Sequence, residues 1–183
     1  MSYSTMHYVP EQGEIVGAVE FRNAWGWAAS IWSRCCEHVL HTGSAGAWLF
    51  GEGVLTRIFS LIDEPGTPNE LRLTIEASAD KAVVLRSHFE TVARALEAFN
   101  TAYPAAEGTV NHLPAVAAAL REVPEELDDG RPIIGVCFTN TSVADDQWRR
   151  EDPSIEDGYR WFDFSRDTDR FIVGENPPAP TGV

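Results

Sequence analysis

Two cysteines and two histidines fall within seven residues, Cys35, Cys36, His38 and His41, in the stretch WSRCCEHVLHTG. Thiolate and imidazole are the ligands zinc prefers, and a helix can present them at i, i+3 or i, i+4. The spacing here is i, i+3, i+6. On a helical wheel each step turns about 60°, so Cys35 faces the core while His41 faces water. One ion would not easily reach both. Neither H-E-x-x-H nor its reverse is present, and Arg34 puts a cation beside the cluster. Adjacent cysteines also cannot act as a C-x-x-C redox pair. The segment reads as the last turns of an amphipathic helix, with Cys35 packing as a small hydrophobe, Cys36 at its flank and Glu37 paired with His41. No metal is expected.

Cys137 is the other nucleophile candidate. It ends an apolar run before TNTS, where the carboxyl end of a strand can carry function. A small enzyme with a site around Cys137, Asn140, Asp145 and a histidine, His112 or His88, is one reading. The sequence supplies no activating base locally and no G-x-S-x-G elbow. GSAG and GEG lack phosphate-loop spacing, so no cofactor is expected. Asp145 and Asp146 stand four residues before Arg149 and Arg150, which predicts two surface ion pairs on a short helix rather than a carboxylate metal site.

Charge carries more information. The 183 residues have a formal net charge of -14, with Lys81 the sole lysine. Without a basic stripe, direct nucleic-acid binding is not expected, and anionic membranes would repel the chain. The start of the chain lacks the pattern of a secretory signal, no apolar run reaches the length of a membrane span, and three cysteines make no disulfide framework. The expectation is a cytoplasmic protein, monomeric or a small homo-oligomer. Carboxylates concentrate at Glu122, Glu125, Glu126, Asp128 and Asp129. A second group, Glu151, Asp152, Glu156, Asp157, Asp163, Asp167 and Asp169, is interleaved with Trp148, Tyr159 and Trp161. Aromatic anchors in a charged rim are the composition of a docking surface. The leading reading is therefore a non-enzymatic module that binds a protein partner with a basic surface and inhibits or modulates it, as immunity proteins, antitoxins and phage-encoded inhibitors do. Trp148, Tyr159 and Trp161 would be its anchors; Glu151, Asp152, Glu156, Asp157 and Asp163 would steer association.

These residues must be positioned by a fold, and the periodicity predicts α+β: mid-chain helices packed on a small, mostly antiparallel sheet, with a C-terminal hairpin. Residues 1–13 read as loose and EIVGAVEF as a strand. Helices are expected over 23–41, 52–62 and 111–123. ELRLTIEA alternates and reads as a strand with one wet face. Asp80 would cap a long helix to Tyr103, whose seam Leu85, Phe89, Val92, Leu96, Phe99 and Tyr103 needs a partner. That seam could instead serve a structural or assembly subunit. PIIGVCFTN reads as a strand buried on both faces. YRWFDF and RFIVGE would form the terminal hairpin. One domain is expected over 1–175, with 176–183 an extended or disordered Pro-rich tail.

Overall fold

The centre of the molecule is the apolar run PIIGVCFT, strand β4 (Ile133–Thr139), which is buried on both faces as its composition requires. The computed structural model describes residues 3–22, 26–139 and 148–175. β1 (Tyr3–Pro10) lies antiparallel to β4 on one side, and β3 (Ala82–Leu85) lies antiparallel to it on the other. β2 (Val16–Arg22) forms one edge beside β1, and β7 (Phe171–Ile172) forms the other, parallel to β3. The five-stranded order is β2-β1-β4-β3-β7; β5 (Arg149–Glu151) and β6 (Tyr159–Trp161) make a separate antiparallel hairpin. The α+β class is as the periodicity predicts, mostly antiparallel and with a C-terminal hairpin.

Alternation along the strands sends two sets of side chains to opposite faces. Met6, Val84, Val136 and Phe138 join the main core under the helices. Val9, Val83 and Cys137 join a second, smaller core closed by Ile15, Trp148 and Phe162. The helical layer comprises α1 (Gly26–Arg34), α2 (Ala47–Phe50), α3 (Val54–Ser60), α4 (Asn69–Ala77), α5 (Phe89–Ala102) and α6 (Leu113–Arg121). Trp27, Ile31, Leu96, Phe99 and Leu113 are fully enclosed there. Each such side chain contributes about 1.5–3 kcal/mol relative to exposure.

Three expectations about elements are corrected. Residues 3–10 are not loose: Thr5, Tyr8 and Val9 suit a pleated strand, and β1 pairs on both sides. The pairing shifts register at Val9/Pro10, where proline has no N–H to donate. ELRLTIEA is helix α4, not a strand. Its supposed wet face, Thr74 and Glu76, is buried along with Leu71, Leu73 and Ile75, so alternation misleads about an element enclosed almost all round. Arg72 and Glu76 form an i, i+4 pair at 3.0 Å, and the Gly174 amide donates to the other Glu76 oxygen at 2.8 Å. The helix expected from Asp80 begins only at Phe89. Lys81 takes a positive φ of 60°, and the β-branched pair Val83–Val84 then fills the sheet between β4 and β7. From Phe89 on the seam holds: Phe89, Val92, Leu96 and Phe99 are buried inside the chain's own core.

Two boundaries also move. The helix expected over 52–62 shortens to α3, which begins after Gly53 at a φ of 72°; α2 is a separate short helix ahead of it. The hairpin pairs β6 with β5, while 171–172 joins the main sheet instead. Residues 23–25 at the start of the first expected helix, residues 140–147 and the tail from 176 lie outside the described residues. The N-cap position of α6 is His112, and Asn111 forms a turn just ahead of it, its Oδ1 accepting from the Leu113 amide at 3.2 Å.

Candidate functional site

The β5–β6 hairpin covers the second face of the sheet, and its side chains divide into staples and exposed groups. Trp148 is fully buried, donates from Nε1 to the Phe138 carbonyl at 2.8 Å, and meets Phe162 edge-on. It is part of the core that holds the hairpin down, which corrects the expectation of a surface anchor. Trp161 is half-buried between the His7 ring at 5.7 Å and the Arg149 guanidinium at 5.6 Å. Asp163 is buried as well; its Oδ1 accepts from the Ser165 amide and hydroxyl at 2.9 and 2.6 Å, so it shapes a turn rather than a charged rim.

Arg160 ties this region together. Its two terminal nitrogens donate to both Asp167 oxygens at 2.7 Å, and Asp152 lies 3.7 Å from its Nε. The bidentate bond from Arg160 holds Asp167 below the usual carboxylate range. Asp152 is lowered too, first by the Ser154 hydroxyl and amide that it accepts from. Asp169 meets Lys81 and lies 4.0 Å from Arg150. Much of the acidic run is thus matched by arginine within the fold. Arg149 and Arg150 belong to strand β5, not to a helix; their expected partners Asp145 and Asp146 lie outside the described residues.

What remains at the hairpin tip is compact. Tyr159 is 53% exposed and Ile155 40% exposed. Glu151, Glu156 and Asp157 surround them, exposed and with no ion pair among the described residues.

The cysteine candidates are enclosed. Cys137 is completely buried, and burial alone pushes its thiol well above the ordinary value. Its register partner on β1 is His7, which the sequence reasoning missed because residues 1–13 read as loose. His7 Nε2 lies 2.8 Å from the Thr139 hydroxyl, and burial lowers its pKa to about 4. His112 lies against Phe21, not against Cys137. Asn140 and Asp145 lie outside the described residues. A protonated thiol without solvent access is a poor nucleophile.

At Cys35–Val39 the first helix widens into a π turn, with the Leu40 amide donating to the Cys35 carbonyl at 2.8 Å. The wider turn carries Cys36 inward with Cys35, not to the flank. Burial is the main cause that pushes the Cys35 thiol up to about 12. His38 Nε2 is 3.0 Å from the Pro104 carbonyl and 3.8 Å from Glu37, while His41 sits past the turn at a φ of 50°. The expected Glu37–His41 pairing assumed α-helical phase, which this turn ends.

Arg34, the cation beside the cysteine cluster, is only 2% exposed. Nη1 donates to Asn100 Oδ1 at 2.9 Å and to the Tyr103 carbonyl at 3.3 Å, and the Phe99 ring centroid lies 5.9 Å away. Burial lowers its pKa from the ordinary value. Arg34 lines a groove of about 550 Å³ between α1, the α2 segment and residues 105–110. The one sequence signal is that α1 also carries Ser30 and Ser33, small groups a neighbour can cover.

The chain matches no known family model, no curated protein and no solved structure. No helix among the described residues is long and apolar enough to cross a membrane.

Proposed function

We propose that this chain is an acidic, cytoplasmic protein-interaction module that modulates a partner with a basic surface, docking through the tip of the β5–β6 hairpin. One observation carries the reading: two large apolar side chains, Tyr159 and Ile155, stand exposed on a short turn beside three carboxylates that form no ion pair among the described residues. A tyrosine adds contact area at low entropic cost, and flanking charges raise association rates with an oppositely charged surface. The net charge of -14 extends the same bias over the whole molecule. The buried pair Trp148 and Phe162, with the Arg160–Asp167 pairing beside it, gives the tip a fixed base. The anchor set is thus revised to Tyr159 and Ile155, with Glu151, Glu156 and Asp157 steering.

The test is capture from a cell lysate at low and high salt by the immobilised chain, compared with Tyr159→Ala and with a Glu151→Lys, Glu156→Lys, Asp157→Lys triple variant. The expected result is a retained basic protein whose capture falls with salt and is lost in both variants. Retention that neither variant alters would remove the proposal. Among the described residues a thiol enzyme centred on Cys137 has no supporting geometry, because burial seals that thiol and raises its pKa.

A further inference from the structure

The groove between α1, α2 and residues 105–110 lies in the helical layer, and the docking proposal makes no use of it. Its volume of about 550 Å³ suits a small organic molecule. Val16, Leu49, Phe50, Val110, Ile155 and Tyr159 are the large apolar side chains exposed among the described residues. Ile155 and Tyr159 belong to the hairpin tip. Leu49, Phe50 and Val110 all line this groove, and Phe50 is 87% exposed. A lone exposed valine such as Val16 needs no explanation, but apolar side chains gathered around one concavity mark a binding site.

The walls are set before any ligand arrives. Trp48 Nε1 donates to the Ser33 hydroxyl at 2.9 Å, and its ring meets Trp32 edge-on. The Thr109 hydroxyl donates to the Ala106 carbonyl at 2.6 Å. The π turn at Cys35–Val39, a rare geometry that recurs at functional sites, supplies Glu37 to the same wall. Charge then decides the class of occupant. Among the described residues, Arg34 and Glu37 are the charged groups lining the groove, opposite in sign and one turn apart. Arg34 spends Nη1 on Asn100 and the Tyr103 carbonyl, and its Nε and Nη2 are buried out of a ligand's reach. It offers an acid no donor. The half-exposed Glu37 and the net charge of -14 repel anions, while a cation drawn to Glu37 meets the Arg34 guanidinium one turn away.

We infer that this groove binds a small, uncharged and mostly apolar molecule, its body lying against Trp48, Leu49, Phe50 and Val110. A second copy of this chain is a poor occupant, since it would bring a further charge of -14 to the interface.

Phenylnaphthylamine and anilinonaphthalene sulfonate are the probes, since they share an aromatic body and only the second carries a charge. Both brighten in an apolar site, so fluorescence titration of the full chain reads each. The uncharged probe should saturate a single site. The sulfonate should bind at least about tenfold more weakly, because its charge would leave water with no donor to meet it. Decanol should displace the uncharged probe more effectively than decylammonium does. Val110→Asp, at a position 59% exposed, puts a carboxylate into the apolar wall. It should weaken the uncharged probe at least about tenfold with no change in the unfolding midpoint. Tyr159→Ala should leave binding as it is, which separates this site from the hairpin tip. No saturable binding of the uncharged probe, equal or tighter binding of the sulfonate, or displacement that favours decylammonium would each overturn the site. So would binding that Val110→Asp leaves unaltered or that Tyr159→Ala removes.

Discussion

Acid should weaken this fold through His7 before it titrates most of the carboxylates. His7 is 7% exposed on the central strand β1, with Trp161 over its ring and Thr139 at its Nε2. Burial lowers its pKa from 6.5 to about 4. Between those values the unfolded chain holds a proton on this ring that the folded chain refuses, so stability falls as pH falls. It is fully present above the unfolded pKa and is lost progressively from about pH 6.5 down to about pH 4, then levels off for this group. Weighing the two titrations against each other gives a loss of about 2 kcal/mol between pH 7 and pH 5, and about 3 kcal/mol by pH 4. His112, whose pKa burial also lowers, adds in the same direction, and Glu76, raised by burial, opposes it. The comparison with His7→Gln isolates the term, because glutamine can still meet Thr139 but does not titrate. Urea unfolding of both proteins at pH 7 and pH 5 is the assay. The native chain should lose about 2 kcal/mol more than the variant. Equal losses, or an NMR titration of His7 near its ordinary value, would refute the reasoning.

Other perturbations follow from the same geometry. Gly135→Ala would place a Cβ 2.7 Å from the Val84 carbonyl oxygen, a backbone atom that cannot yield without disturbing the β3–β4 ladder; a loss of about 1–3 kcal/mol by chemical denaturation is expected. Trp148→Ala removes a fully buried ring and the donor to Phe138 that pins the hairpin, so a loss of about 3–5 kcal/mol should appear in the same measurement. Asp167→Asn breaks the bidentate pairing with Arg160 and should cost about 2–3 kcal/mol, with faster amide exchange over 159–167. Cys35, Cys36 and Cys137 are all buried, so labelling by a thiol reagent followed by mass spectrometry should proceed no faster than unfolding.

The elements legible in the sequence were those whose pattern had one explanation. The run Ile133–Thr139 could only be an enclosed strand, and the helix expected over 111–123 is α6. α4 was misread because alternation records burial on two sides, and a helix packed nearly all round yields no dry-and-wet contrast to set against it. The strand at 82–85 was lost to a coincidence: Leu85 stands four residues before Phe89 and so extends the helical seam by one false step. β1 was missed although Thr5, Tyr8 and Val9 suit a strand, because its central place depends on pairing with β4, more than a hundred positions away, as well as with β2.

The candidate surface was half legible. Charge and aromatic content pointed to residues 148–163 as a candidate, but could not separate Trp148 and Asp163, which are buried, from Tyr159, which is exposed. Arg34 left almost no trace, since its burial depends on the π turn after it and on α5 and the 103–110 segment folding across α1.

Hydrogen exchange on the chain bound to the basic protein it captures bears most directly on the docking proposal. Protection is expected over 151–161, with the α1–α2 groove unchanged. An unaltered exchange rate at the hairpin tip in the bound chain, or capture that yields no basic protein at low salt, would contradict it.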